Sequence, residues 1–345
     1  MKIGVIGLGV RGTQAHVASL KQLSDAKITA LCDIQPDRME KVNQELPSKA
    51  ATYVDYRELI KDPNVSIVVV ATPGWLHHDM AMAALRAGKD LLLEKPLSLN
   101  YRDAIEVVRE AERSGRVVAV GMQRRYSDAD QLFQAALDSG TIGAVRTIVY
   151  SEYRGDWAAA TWQYPDPDTG KLTPWRRLAK TAGSTELEFS IHALAMVTNM
   201  VKSPLERLAA TGGVLHYHDG RDTRDVVGII AEFQSGARLE YTFNLFSPGV
   251  SESLTAIGDD GTLQRQGARG PLMKIAGGKA SEVKMDLNLA AGSAEVRMYR
   301  EFFQNLRDRK PSPISPRAAL EPAKIAYGSD ISIRENRMVT AKDFA

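Results

Sequence analysis

At 345 residues the chain is long enough for two domains of ordinary size, each with its own core. Its make-up, 44% hydrophobic and 25% charged, is that of a globular protein rather than a fibrous or disordered one. A net charge of +2 from 44 basic and 42 acidic residues, with no long run of one sign, gives no electrostatic case for nucleic acid or a membrane surface, and a single cysteine, Cys32, excludes an internal disulfide.

The N-terminal MKIGVIGLG runs straight into a strand pattern without a signal-peptide layout, and no apolar run is long enough to span a bilayer. A cytoplasmic location is the expectation. Residues 2–7 form a short apolar run of the kind that makes a buried parallel strand. They lead into Gly7-Leu8-Gly9-Val10-Arg11-Gly12, a G-x-G-x-x-G, and a helical stretch over 13–23. A second apolar run, 28–32, ends at Asp33. That acid lies 21 positions after Gly12, close to the ~20 expected of a residue that binds an adenosine ribose diol. Glycines let the backbone approach a pyrophosphate, and a helix N-terminus offers it unpaired N–H groups. Gly7, Gly9, Val10, Arg11, Gly12 and Asp33 are therefore candidate dinucleotide-binding residues. A carboxylate at Asp33 repels a 2′-phosphate, which favours NAD over NADP; Arg38, just beyond, reads as a surface helix residue.

Further strands follow at 66–71, 91–93 and 117–120, with a helix over 80–87 stopped by Gly88. Their carboxyl ends carry Thr72-Pro73-Gly74, Glu94-Lys95-Pro96 and Gly121-Met122-Gln123. Open α/β sheets bind ligands beyond the carboxyl ends of their strands, so Gly7, Asp33, Thr72, Lys95 and Gln123 fall on one rim. Lys95 follows three leucines and precedes a proline, which fixes its direction at the strand end. It is placed to offer a cation where oxygen charge develops beside a nicotinamide.

After Gln123 the texture changes. Helical 128–138 is followed by a strand over 147–153; strands 226–233 and 238–245 are joined at Ser235-Gly236, and Asp259-Asp260-Gly261 marks another turn. The expected fold is a Rossmann domain with a parallel sheet over 1–122 and an α+β domain over 123–345. The latter is a largely antiparallel open sheet with helices on one face, for substrate binding and oligomerisation. A C-terminal helix can pack back on the first domain. The uncovered face implies a homodimer or homotetramer. Residues 155–180 form a long segment bearing Trp157, Trp162, Trp175 and Arg176, and loops of this length are usually functional. Glu188 and His192, four apart, share a helix face. Thr185-x-x-Glu188 also fits a capping box, and the two readings are compatible. His216-Tyr217-His218-Asp219 reads as an approach to a turn at Asp219-Gly220; no pattern supports a metal site.

On GLGVRG with His16, ATPGWLHHDMAMAALRAGKDLLLEKP, VGMQRRY and the helix ending at His192, nearly the whole chain resembles the Gfo/Idh/MocA oxidoreductases, the glucose–fructose oxidoreductase and inositol dehydrogenase family. The resemblance implies NAD as cofactor and a sugar or glycoside as substrate. It implies Lys95, Glu188 and His192 as the catalytic set, with Lys95, Arg125, Tyr126, Trp157, Glu188 and His192 toward substrate. To the cofactor side it adds Thr72, Pro73, His77, Glu94, Lys95, Gln123, Trp175 and Arg176. Glu188 stands where the family most often has aspartate, and Ala195 where a second aspartate often follows. Two activities are compatible with these residues: net oxidation of a secondary hydroxyl, and the redox-neutral glycoside hydrolysis of some relatives, which uses tightly bound NAD. A regulatory protein that kept the fold is a third reading.

Overall fold

The structure, a computed structural model of the chain, describes residues 1–155 and 163–344. It divides into two units: Met1–Tyr126 with Ala290–Leu320, and Ser127–Leu289 with Glu321–Ala345.

In the first unit, β1 (Lys2–Ile6), β2 (Lys27–Cys32), β3 (Ala51–Tyr53), β4 (Ile67–Val70), β5 (Asp90–Leu93) and β6 (Val118–Val120) form one sheet in the order β3-β2-β1-β4-β5-β6. Every pair is parallel. All residues of β4 and β5 are buried, as continuous apolar runs must be when helices cover both faces. The crossover helices are capped by local chemistry. Asn100 Oδ1 accepts from Asp103 N at 2.9 Å to start Tyr101–Ser114, and Gly115, at φ 62°, ends it. Strand order reverses between β1 and β4, so the loops after them flank the sheet's switch point. The helix after β1 is π-helical over Arg11–Val17 before the α-helical turn Ala18–Leu20.

Residues 123–126 and Ala290–Leu320 belong with the parallel sheet. Specific bonds account for it: Arg297 Nη1 donates to Tyr126 O (2.9 Å), Tyr126 Oη donates to Glu301 (3.0 Å), and Val120 N donates to Ile314 O (2.8 Å). The helix Ala294–Asp308, capped by Ser293, thus returns to the first sheet.

The second unit holds β7 (Val145–Gly155), the short hairpin β8 (Gln163–Pro165) and β9 (Leu172–Pro174), then β10 (Leu205–Gly213), β11 (Val226–Phe233), β12 (Arg238–Asn244), β13 (Phe246–Gly258), β14 (Gly261–Gln266), β15 (Leu272–Ala276), β16 (Lys279–Glu282) and β17 (Val339–Thr340). Apart from β8 and β9 they form a nine-stranded sheet in the order β16-β15-β14-β13-β7-β12-β11-β10-β17. It is antiparallel except at β7–β12, which run parallel. Tight-turn signals announce antiparallel neighbours; a parallel pair of strands far apart in sequence leaves no local mark. One face is buried, with Ile148, Tyr150, Leu239 and Tyr241 on it, while Val149 and Ile230 face outward. Helices Asp128–Asp138 and Ile191–Val201 bury apolar sides of their own.

Candidate functional site

In the glycine-rich loop each glycine answers a different demand. Gly7 has φ 88°, and a Cβ there would lie 2.8 Å from Ala71 O. A Cβ on Gly12 would lie 1.9 Å from Gly7 O, so these two positions let the loop fold onto itself. A Cβ on Gly9 would meet nothing within 4 Å, which leaves that side of the loop open to a ligand's approach. The next half-exposed residue is Val10. Asp33 is buried, with Oδ2 accepting from Leu8 N (2.7 Å) and Oδ1 from Gln35 N (2.9 Å). The acid is therefore fixed against the loop it serves. Arg38 does more than cover surface: its Nη1 lies 3.5 Å from Asp33 Oδ2.

Arg11 turns away from the loop's open side. Its Nε and Nη2 donate to Glu94 Oε1 at 3.1 and 2.7 Å, and Nη1 lies 3.4 Å from Glu295. Glu94 is 4% exposed. The same Oε1 meets His16 Nε2 at 2.9 Å, while His16 Nδ1 meets Tyr299 Oη at 2.8 Å. With Glu94 ionised, His16 donates from Nε2 and accepts the tyrosine proton at Nδ1. Glu94 Oε2 accepts from Lys95 N at 3.2 Å, and Gly121 leaves room for the carboxylate, since a Cβ there would sit 2.8 Å from it. Burial alone would raise the Glu94 pKa; the Arg11 charge and the His16 bond override it and hold the pKa well below the usual range. Glu94, held by Arg11, thus positions the Lys95 backbone. His16 and Tyr299 complete the arrangement across 283 positions, a separation that no local pattern marks.

His77 is fully buried, its Nδ1 2.6 Å from Pro96 O and its Nε2 2.8 Å from Thr72 O. Burial pushes its pKa down against the pull of the two carbonyls. It ties the loops after β4 and β5 together. Pro73 caps the short helix Gly74–Leu76 beside it. Gln123 Oε1 is buried with no hydrogen-bond partner among the described residues, an acceptor suited to an amide donor of a ligand. Arg125 is exposed. Tyr126 is buried and its hydroxyl is spent on Glu301, which together with burial raises its pKa far above the usual value. Its ring packs in the first unit, tied to the returning segment through Glu301.

The other candidates lie in the second unit. Glu188 sits in a π-helical turn, Glu186–Ser190, that runs into the α-helix Ile191–Val201 bearing His192. The capping box does not form. Thr185 Oγ1 donates to Arg224 O, and Leu187 N finds Ser184 Oγ at 3.2 Å instead. Glu188, 4% exposed, is ion-paired with Arg176. The Arg176 guanidinium lies 4.9 Å from the Trp175 ring centroid and 5.4 Å from that of Phe189. Both expected cofactor contacts, Trp175 and Arg176, are thus engaged around Glu188. Trp157 and Trp162 lie outside the described residues.

Loop 214–225 holds Arg176 in place. Asp225 accepts from Leu215 N, His216 N and Tyr217 N at 2.9, 2.8 and 3.0 Å. Burial opposes its ionisation, and these three donors nonetheless hold its pKa below the usual value. Thr223 Oγ1 donates to Arg176 O (3.0 Å), and Asp222 Oδ1 accepts from Ala179 N (2.6 Å). His216 packs on Tyr217 and Phe246, and Asp219 pairs with Arg221 and Arg177, so this segment is a latch.

Two variants test the loop and its anchor. Gly12→Ala puts a methyl into Gly7 O and is expected to cost about 1–3 kcal/mol or more, read by urea denaturation, with NADH fluorescence enhancement lost. Glu94→Gln breaks a buried pair and is expected to cost about 3–5 kcal/mol. Because the folded carboxyl is depressed, its contribution is complete above the ordinary carboxylate range and disappears as pH falls through the depressed value. The loss of wild-type stability on acidification should accordingly be shallower in Glu94→Gln.

Residues 1–122 match the family described as "Oxidoreductase family, NAD-binding Rossmann fold", and residues 131–264 match the "GFO/IDH/MocA C-terminal domain". A myo-inositol 2-dehydrogenase of Thermotoga maritima is 26% identical over 99% of both chains. An inositol 2-dehydrogenase/D-chiro-inositol 3-dehydrogenase of Lactiplantibacillus plantarum is 34% identical over 41% of each. Among solved structures, the aldose-aldose oxidoreductase of Caulobacter crescentus superposes with a TM-score of 0.82 at 19% identity, each chain 98% covered. A levoglucosan dehydrogenase in complex with NADH and levoglucosan gives 0.84 at 18%, again with 98% of each chain covered. With both halves matched in order and the loop and acid of the first unit built for a dinucleotide, the chain belongs to the NAD-binding Gfo/Idh/MocA oxidoreductase family.

Proposed function

We propose that the protein oxidises a secondary hydroxyl of a sugar, polyol or glycoside and passes the hydride to NAD. The observation that carries this reading is the Glu94–Lys95–Pro96 corner: beyond β5 of an NAD-binding unit, a buried and multiply bonded glutamate holds the backbone of a lysine. NAD, when bound, supplies the hydride acceptor. Gly9, Asp33 and Gln123 are the residues that would hold it. His192 takes the hydroxyl proton as the C–H electrons leave and the carbonyl forms. Lys95 stabilises the negative charge that develops on that oxygen. Glu188, held by Arg176, orients the substrate or the histidine. The inositol dehydrogenases and the sugar oxidoreductases among the relatives support a polyhydroxylated substrate. No observation favours the redox-neutral hydrolysis, and the relatives named are oxidoreductases.

Self-association belongs to the same proposal. The outer face of the second sheet carries Ile230, Val149 and Ile257 at 64%, 38% and 40% exposure, more apolar surface than a solvent-facing sheet needs. No helix among the described residues is long and apolar enough to cross a membrane.

The test follows NADH absorbance with NAD and a panel of inositols, aldoses, methyl glycosides and chromogenic glycosides. NADH should accumulate with the glycoside intact; aglycone release without net NADH would overturn the dehydrogenase reading. Lys95→Ala and His192→Ala should each lower turnover by roughly 10²–10⁴-fold with NADH binding kept. Near-normal turnover in Lys95→Ala would remove that residue from the mechanism. For assembly, Ile230→Glu should lower the mass measured by light scattering to that of a smaller species, and an unchanged mass would place any interface elsewhere.

A further inference from the structure

The buried face of the second sheet changes character along its strands. At one end of β7, β12, β13 and β14 it carries Ile148, Leu239, Ala256 and Leu263. Toward the other end the same alternation delivers Glu152 and Arg154 from β7, Glu252 from β13 and Arg265 from β14. Glu152 and Glu252 are register partners, both under 10% exposed, so two carboxylates face each other in a poorly solvated layer. Like charges set opposite in a sheet destabilise it, and each therefore needs a cation.

The two cations are used differently. Arg265 is 2% exposed and closed on both sides, by Glu252 and Asp130 at 2.8 Å each. That triad is an internal brace. Arg154 is bonded to Glu152, whose second oxygen accepts from Tyr241 Oη at 3.3 Å. The Arg154 side chain remains 22% exposed, and its buried Nε has no hydrogen-bond partner among the described residues. Its guanidinium lies 5.5 Å from the Phe243 ring centroid. Phe243 stacks on Phe189 (5.9 Å, 26° between planes), and Phe189 carries the Arg176 guanidinium that pairs with Glu188. Two arginine–glutamate pairs are thus mounted on one stacked pair of phenylalanines, and one of them contains Glu188.

We infer that Arg154, its charge offset by Glu152, is a specificity-determining residue that binds hydroxyls of a neutral polyhydroxylated substrate and excludes acidic sugars. The inference rests on the carbohydrate-oxidising reading above and narrows its substrate class. The part-exposed guanidinium offers donors to hydroxyl oxygens, while the buried carboxylate beside it offsets its charge. The pair has no net charge, so it offers nothing to a carboxylate or phosphate on the substrate, and Glu152 repels both. Removing the glutamate's charge frees the guanidinium, which then becomes an anion site.

The test compares neutral and acidic partners, D-glucose with D-glucuronate and D-galactose with D-galacturonate, with inositols and methyl glycosides as further neutral substrates. Wild type should oxidise neutral members and leave the uronates nearly untouched. Glu152→Gln should raise the uronate-to-neutral ratio of kcat/KM by at least about tenfold, the scale of one charge-assisted contact, and Glu152→Gln with Arg154→Met should lose that gain. Arg154→Met alone should raise KM for the neutral substrate about tenfold, with the effect on KM rather than kcat and the KM for NAD unmoved; Arg154→Lys should restore part of it. An unchanged ratio in folded Glu152→Gln, or an unchanged KM in Arg154→Met, overturns the inference while leaving the oxidoreductase reading intact. A wild type that oxidises no neutral carbohydrate overturns both.

Discussion

One buried carboxylate organises the first unit. Glu94 stands at the end of β5 and is bonded to the glycine-rich loop through Arg11, to the helix after it through His16, and to the next backbone N–H, that of Lys95. Through His16 it also reaches Tyr299 in the segment that returns from the far end of the chain. Isolated, a charge this deep would have to be neutralised by protonation; with a guanidinium and an imidazole donor on one oxygen, it stays ionised. The lysine's orientation is then a by-product of satisfying its neighbour. His77 makes a parallel provision, joining the carbonyls of Thr72 and Pro96 so that two adjacent strand ends share one geometry.

The second unit solves the opposite problem. Its sheet buries several charges on its helix-covered face, where hydrophobic residues would pack at lower cost. Arg265 with Asp130 and Glu252 forms a closed set. Arg154 with Glu152, and Arg176 with Glu188, sit on the Phe189–Phe243 stack. Rigid rings beneath flexible arginines restrict where the guanidiniums can go, and loop 214–225, gathered on Asp225, fixes the backbone from which Arg176 projects.

How much of this was legible in the sequence follows from the range of each signal. The glycine loop, Asp33 and the strand-end residues were readable because strand, turn and helix signals lie within a few residues of one another, and the parallel sheet followed. The hairpins at Ser235-Gly236 and Asp259-Asp260-Gly261 were readable for the same reason. Roles that depend on distant partners were not. The Tyr126 hydroxyl donates to Glu301, 175 positions away, and the Thr185 hydroxyl to Arg224 O, 39 positions away. Arg154 gives little local signal, since its ring neighbour leaves no mark in one dimension. Alternation along β7 could have placed it on the inner face, although not beside Phe243, which arrives through the one parallel pairing of the sheet.

The return of 290–320 to the first sheet has a consequence for synthesis. The sixth strand of that sheet bonds to Ile314, and the His16 ring waits for Tyr299, so the N-terminal unit is incomplete until most of the chain has left the ribosome. The second unit is interrupted in turn, and its final strand, β17, adds to β10 only when residues near 340 emerge. Neither unit can close ahead of the other by much. Contacts of such long sequence separation slow folding and leave buried-to-be surface exposed on the nascent chain. A ribosome paused near residue 290 would therefore carry two unfinished units, a natural point of engagement for a chaperone.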